Sequence, residues 1–292
     1  AIMSSSDHES HCYIFGFGSI MNTDTHSSWL RSSGDDTVLA LKGRHARILR
    51  SFGYVRRWNF RSQTGFTALG LCRPTNNGDE ASDINGIIFQ LPLHMLPDFD
   101  RREVGYDRVE LKEGVDFQLL DREDYHGTPT NKDPTLFFDN IGTDEPVYVY
   151  IPQASSCAEA DENYPLLQSY VDTVLQGCLE WGGEKLGKEF VATTDGWSSY
   201  FLNDTPSSRR PWLFRKQYTI IDRILSQAPH THYSDRRHPE EFASAFLIKS
   251  FRGTWNIPRR NKAFVGRDKQ LVAIHSKLTE QQNESIVKVG KY

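Results

Sequence analysis

The sequence predicts an α+β domain built on a closed or strongly curved β-sheet, with flanking helices and a basic C-terminal extension. Three observations lead there. Short apolar stretches bounded by turn residues recur through the first half of the chain. Only a few segments carry a helical period, and strands and helices do not alternate in the regular way a parallel β-α-β fold requires. The 292 residues, 38% of them hydrophobic and 12% aromatic, suffice for one large domain or for a medium domain with an extension.

Residues 1–12 read as a disordered leader. Tyr13 to Phe17 is a β-branched and aromatic run that breaks into Gly16-Phe17-Gly18-Ser19, so a strand should end in a permissive turn there. Thr23 to Leu30 reads as a short helix with Thr23 or Asp24 as N-cap. Thr37 to Arg50 alternates apolar and basic residues around Gly43, the pattern of a bent or bulged strand. Gly65 to Arg73 is a short strand, 76–80 an exposed loop and Ile84 to Leu91 a strongly apolar strand. Pro92 to Arg102 has helical spacing through Leu93, Leu96 and Phe99. Tyr106 to Leu111 and Val115 to Leu120 should form an antiparallel pair about Lys112-Glu113-Gly114. Residues 121–144 are polar and turn-rich and read as an insertion; Pro146 to Ile151 returns to strand. The clearest amphipathic helix runs from Tyr164 to Trp181, with Leu167, Tyr170, Val171, Val174, Leu175 and Cys178 on one face and Gly182-Gly183 as its stop.

Cys12, Cys72, Cys157 and Cys178 are scattered, with no C-x-x-C pair, which points to a reducing, cytoplasmic-type compartment. The N-terminal residues lack the apolar core of a secretory signal, although an organellar targeting peptide, for a plastid among others, could already have been removed. No apolar run approaches the length of about 18 residues that a membrane-spanning helix needs, and mean hydropathy is -0.56. The net charge of -4 conceals an asymmetry: from residue 201 onward there are 17 Lys and Arg against 8 Asp and Glu. A basic tail on an acidic body suggests either docking onto that body or a polyanionic or protein partner.

Gly16-x-Gly18 lacks the third glycine of a dinucleotide fingerprint, since Met21 stands at that place. Ser19 lacks the flanking glycines of a hydrolase elbow. An ordinary strand-to-helix turn and a ligand-binding turn both remain open on these residues alone. Further along, Leu96-Pro-Asp-Phe-Asp-Arg-Arg-Glu103-Val-Gly105-Tyr106-Asp-Arg108 ends a helix on a glutamate. A carboxylate there faces the negative pole of the helix dipole, a setting suited to a general base. The competing reading pairs Glu103 with Arg101, Arg102 or Arg108 on a solvated surface.

Taken in order, the strand and turn at Phe15 to Ser19, the Gly43-x-Arg-type strand, Asn85 to Leu91, the Leu96 to Arg108 motif, Val147 to Tyr150 and the Pro165 to Gly177 helix resemble the γ-glutamylcyclotransferase family. The resemblance runs from about residue 13 to residue 183. It implies a small mixed β-barrel with flanking helices at 13–192, followed by the basic extension at 193–292. It also implies an enzyme that cyclises a small-molecule γ-glutamyl compound (a γ-glutamyl peptide or amine, or glutathione) to 5-oxoproline, with no cofactor and no metal. Glu103 matches the family's catalytic glutamate. Gly16, Phe17, Gly18, Ser19 and Ile20 match the turn whose main-chain amides hold the glutamyl group, as consecutive amides can for an anion. Tyr106 is expected as a hydroxyl donor and Arg108 as scaffold; Tyr148 and Tyr150 lie on a strand that lines either pocket or core. The family commonly carries Tyr-Gly-Ser where this chain has Phe17-Gly18-Ser19, and the insertion and the tail exceed a minimal member. A non-catalytic binding or assembly protein on the same fold, docking through its tail, is the alternative.

In the tail, Trp212, Phe214 and Tyr218 beside paired arginines could contact RNA, but the apolar stripe Ile221, Ile224, Leu225 favours packing, so nucleic acid is not expected. His230, His232 and His238 lack an acidic or cysteine partner at zinc spacing. No membrane partner is expected.

Overall fold

The computed structural model describes residues 10–33, 41–74, 81–120, 134–142, 145–209 and 215–237, all within a compact unit that runs from Ala1 to Lys249. The elements that frame the site are β1 (His11–Gly16), α1 (Thr23–Ser33), β2 (Gly43–Ile48), β3 (Val55–Arg61), β4 (Thr67–Cys72) and β5 (Ile84–Pro92). They continue with α2 (Leu96–Arg102), β6 (Tyr106–Leu111), β7 (Phe117–Leu119), β8 (Val147–Pro152), β9 (Leu166–Leu167) and α3 (Gln168–Ala192). Beyond α3 come β10 (Thr194–Asp195), β11 (Phe201–Leu202), α4 (Thr205–Ser208) and α5 (Lys216–Ser226).

A six-stranded mixed sheet is ordered β6-β8-β1-β5-β2-β7, and beside it lies a three-stranded sheet ordered β10-β3-β4. β5 is central to the larger sheet, antiparallel to both β1 and β2, and Ile87, Ile88 and Phe89 are fully buried because both of its faces are covered. The edge strands β6 and β7 are consecutive in sequence. In a flat sheet six strands wide they would stand roughly 24 Å apart at about 4.8 Å per strand. Residues 112–116 cannot bridge that gap, since they are folded into a turn in which Lys112 C=O accepts the Val115 and Asp116 N–H groups. The sheet must therefore curl until its edges approach, which makes it a half-barrel and gives the α+β architecture with flanking helices.

The strands expected at 106–111 and 115–120 thus exist but do not pair with each other: β6 pairs with β8 and β7 with β2. Other boundaries move as well. β1 starts at His11, so Cys12 is a core residue and not part of a leader, of which residues 1–9 lie outside the described residues. The α1 cap is Asn22, whose Oδ1 accepts the Thr25 N–H at 3.0 Å, in place of Thr23 or Asp24. Gly183 has φ 61° and ψ -157°, which interrupts helical geometry without ending the helix; a second helical stretch continues to Ala192. Leu93–Met95 forms a single 3-10 turn before α2. Parts of the expected strand at 37–50, the loop at 76–80, and 121–133 and 143–144 of the insertion lie outside the described residues.

β3 emerges from a stretch with no obvious strand signature because Arg56 points inward. Its guanidinium is fully buried, donating to Thr194 Oγ1 (2.8 Å), Asn85 C=O (2.8 Å), Thr193 Oγ1 (2.8 Å) and Phe190 C=O (3.1 Å), with the Phe190 ring 3.8 Å away. This one side chain ties β3 to β5 and to the end of α3. The described residues of 194–237 belong to the same unit: β10 extends the β3–β4 sheet, β11 pairs with β9, and Ile221, Ile224 and Leu225 of α5 are buried. Arg209 reaches both carboxylates of Asp172, on α3, and Asp222, on α5.

Candidate active site

β1 ends at Gly16, opposite Ile87, while β5 runs on to Ile84 paired with β2 alone. The chain then folds back sharply. A Cβ on Gly16 would lie 2.6 Å from Ile20 Cγ2 and 2.8 Å from the Phe89 ring, so glycine is required by the close return of the turn. Ser19–Met21 forms one 3-10 turn. α3 clamps it from below: Trp181 Nε1 donates to Met21 C=O at 2.9 Å, and a Cβ on Gly177 would meet the Met21 and Asn22 backbone at 2.6 Å.

Across from this turn, α2 places Glu103 at its C-terminal cap, where the Glu103 N–H donates to Phe99 C=O at 3.1 Å. Both structures border one cavity of about 380 Å³, within the range of small-molecule sites. Gly16, Phe17, Gly18, Ser19 and Ile20 line it on one side, Arg102, Glu103, Val104 and Tyr106 on another, and Phe60, Phe66, Ala68 and Leu69 on the β3–β4 side, with Tyr150 and Tyr170 between. The expected cradle and the expected base therefore look into the same hollow.

Glu103 is paired with Arg102, and the two side chains are 17% and 20% exposed. The other arginines are engaged elsewhere, Arg101 with Asp98 and Arg108 with Asp100. The helix end and the guanidinium act in opposite senses on the carboxylate's charged form, the former disfavouring and the latter favouring it. Burial lowers the Arg102 pKa from its ordinary value, with the neighbouring phenols Tyr170, Tyr106 and Tyr150 opposing the shift.

Three phenols face the cavity, and each is held neutral by desolvation. Tyr106 is raised well above 10, and its hydroxyl donates to Leu69 C=O at 2.8 Å while its ring stacks on Phe60 at 4.2 Å between centroids. Tyr150 is raised by burial and by its hydrogen bond to Asp100 Oδ1 at 2.7 Å. Tyr170 is raised by burial and lies beside the Ser19 hydroxyl and N–H and the Leu69 N–H. Tyr148 is not among the lining residues: it sits one pleat away on β8, under the Arg108 guanidinium at 4.8 Å. Arg108 itself bonds Asp100 and stays outside the lining, a scaffold position.

The sequence reading did not assign Arg102, Tyr170, Phe60 or Phe66 to the site. Tyr170 was visible only as one member of the α3 apolar stripe; a lone phenol on an otherwise aliphatic face is the available signal, since a buried hydroxyl needs a polar neighbour. Phe60 lies on the missed strand β3, and Phe66 stands in the turn between β3 and β4. None of the described residues of 134–142 or 194–237 lines the cavity. His230 Nε2 contacts Val191 C=O at 3.2 Å, His238 lies outside the described residues, and no cluster of metal-ligating side chains occurs among those described. No helix among the described residues is long and apolar enough to cross a membrane.

No family model matches the chain, and no curated protein does. Among solved structures, the chain is similar to a gamma-glutamyl cyclotransferase at 15% identity and a TM-score of 0.42, over 73% of this chain and 99% of that one. An uncharacterized protein from Homo sapiens gives 15% and 0.40 over 74% and 99%. A glutathione-specific gamma-glutamyl cyclotransferase from yeast gives 11% and 0.31 over 78% and 98%. At such identities and scores these likenesses carry no function to this chain, which is argued from the geometry of its own site.

Proposed function

We propose that this protein cyclises a γ-glutamyl compound, releasing 5-oxoproline and an amine. The observation that carries the reading is the shared cavity: Glu103 and the turn Gly16 to Ile20 line the same partly open volume. The motif resemblance supports it.

In this reading the turn holds the glutamyl end of the substrate. Glu103 takes a proton from the substrate's α-amino group, whose unperturbed pKa is about 8, and the freed amine attacks the γ-carbonyl carbon. The C–N bond to the departing group then breaks, and its electron pair leaves with that nitrogen. The α-nitrogen loses two protons in all. Glu103 relays protons to the departing nitrogen, which leaves as a protonated amine, and no water is consumed. Because the reaction is intramolecular, holding the chain in a folded conformation contributes much of the acceleration. Arg102 orients the carboxylate, and Tyr170, beside Ser19, supplies a neutral hydroxyl at the turn, while Tyr106 and Tyr150 spend theirs on Leu69 C=O and Asp100 and hold the walls in place.

The test is 5-oxoproline release, followed by mass spectrometry, from γ-glutamyl dipeptides, γ-glutamyl amines and glutathione. Glu103→Gln should reduce turnover by about 10²- to 10⁴-fold, the usual contribution of a positioned acid/base. Turnover unaffected by that substitution would remove Glu103 from the mechanism.

A further inference from the structure

The cavity is not uniform. Gly16, Ser19, Tyr170 and Glu103 give part of its lining a polar character. Its β3–β4 side is aromatic: the Phe60 and Tyr106 rings are stacked at 4.2 Å, and the Phe66 ring lies 5.0 Å from Tyr170. At the rim stands Val104, one of the few large apolar side chains exposed among the described residues, at 57%. Gln63 is also exposed there. Among the described lining residues the cation is Arg102, and its guanidinium is already committed to Glu103.

We infer, resting on the cyclisation reading, that the amine released here carries an apolar, preferably aromatic, body and no carboxylate. The substrate's own α-carboxylate occupies the polar part of the lining, at the main-chain amides of the turn. A second carboxylate, such as a departing amino acid or dipeptide brings, would be placed against Phe60, Phe66 and Val104 with no uncommitted cation among the described lining residues to pair it. Desolvating an unpaired charge there costs more than the aromatic contacts return. A phenyl or alkyl group in the same place gains burial and ring contacts. Phe60, Phe66 and Val104 are then specificity residues.

Four probes separate charge from bulk: γ-glutamyl-phenethylamine, γ-glutamyl-phenylalanine, γ-glutamyl-methylamide and γ-glutamyl-glycine, each scored as kcat/KM for 5-oxoproline release. The phenethylamine compound should exceed phenylalanine, which differs from it by the carboxylate, by about 10-fold or more, and should exceed methylamide by a similar factor. Val104→Lys, at an exposed position that the fold tolerates, places a cation at the rim; it should narrow or reverse the first ratio. Phenylalanine or glycine conjugates turned over as well as phenethylamine, with Val104→Lys neutral, would overturn this inference and leave the cyclisation reading standing. No 5-oxoproline from any of the four would overturn this inference, and none from glutathione either would overturn the cyclisation reading as well.

Discussion

Glu180 Oε2 accepts two hydrogen bonds from Thr23, one from its N–H at 2.8 Å and one from its hydroxyl at 2.7 Å. The contact joins α3 to the first residue of α1, immediately after the turn that lines the cavity. Negative charge at a helix N-terminus is favourable, and the Thr23 bonds favour the ionised form, but burial outweighs them and raises the Glu180 pKa. Glu180→Ala should lower stability by about 1–3 kcal/mol, the range for removing bonds to a charged acceptor. It should also loosen the turn, so KM should rise more than kcat falls. Glu180→Gln, which keeps an acceptor, should recover most of both; urea melts and initial rates check it.

Gly86→Ala should damage stability and site together. A Cβ there would lie 2.6 Å from the Gly16 carbonyl oxygen and 2.6 Å from the Phe15 ring. Neither can retreat easily, since one is backbone and the other a fully packed ring. Overpacking of this kind costs about 1–3 kcal/mol, and here it displaces the residue that begins the cradle. A thermal melt should show the loss, and 5-oxoproline release should fall even well below the new melting temperature.

Acid should weaken the fold through two buried histidines. His26 is 1% exposed, both of its ring nitrogens lack a hydrogen-bond partner, and its pKa is lowered to about 4 by burial first and then by Arg102, with Asp24 opposing. His45 is lowered to about 4 by burial, with the Trp181 backbone opposing. A base whose folded pKa is depressed contributes stability that is complete above its unfolded value of 6.5 and is lost as pH falls toward 4. At about 1.4 kcal/mol per pH unit, each histidine accounts for roughly 3 kcal/mol over that window. Urea midpoints at pH 7, 5.5 and 4.5 should trace the decline, and His26→Leu should remove close to half of its slope.

How much of this was legible in the sequence depends on whether the deciding interaction is local. The α3 stripe was, because Val171, Val174, Leu175 and Cys178 repeat at helical spacing and all four are buried. The placement of Glu103 at a helix end was legible for the same reason. β3 was not, because its inward Arg56 breaks the apolar alternation and bonds carbonyls and hydroxyls far away in sequence. The partners of β6 and β7 were misread because a short turn between two strands ordinarily makes a hairpin, whereas here the turn closes the edges of a curled sheet. Nor could the Arg102 pairing of Glu103 be chosen over Arg101 or Arg108, since all three lie within five residues and only the direction of each side chain separates them.

Tyr106→Phe tests whether that phenol acts on substrate or on the fold. Its hydroxyl is already committed to Leu69 C=O at 2.8 Å, and burial keeps it protonated. The bond joins the strand after Glu103 to the β4 wall, so the role is positional. Removing the hydroxyl leaves a buried carbonyl short of a donor, at about 1–2 kcal/mol of stability, while the ring keeps its stack on Phe60. Turnover should fall by less than about 10-fold, against the 10²- to 10⁴-fold expected at Glu103. A loss as large as that of Glu103→Gln, with an unchanged melting temperature, would instead make the phenol a proton donor to the reacting groups.

Arg56→Met measures what the buried guanidinium contributes. The substitution preserves much of the volume and the contact with Phe190, but it strips donors from Asn85 C=O, Phe190 C=O and the hydroxyls of Thr193 and Thr194. The threonines are partly compensated, since Thr194 Oγ1 also donates to Phe190 C=O at 2.5 Å and Thr193 Oγ1 to Glu189 C=O at 2.8 Å. Asn85 C=O has no such substitute among the described bonds. Leaving it buried and unpaired, together with the lost charge-assisted bonds, should cost about 2–4 kcal/mol. Since β3 joins β5 and the end of α3 through this residue, the loss should appear as faster amide exchange along Val55–Arg61 before it appears at β1, and equal protection of the two strands would show that the guanidinium is not what holds β3 in place.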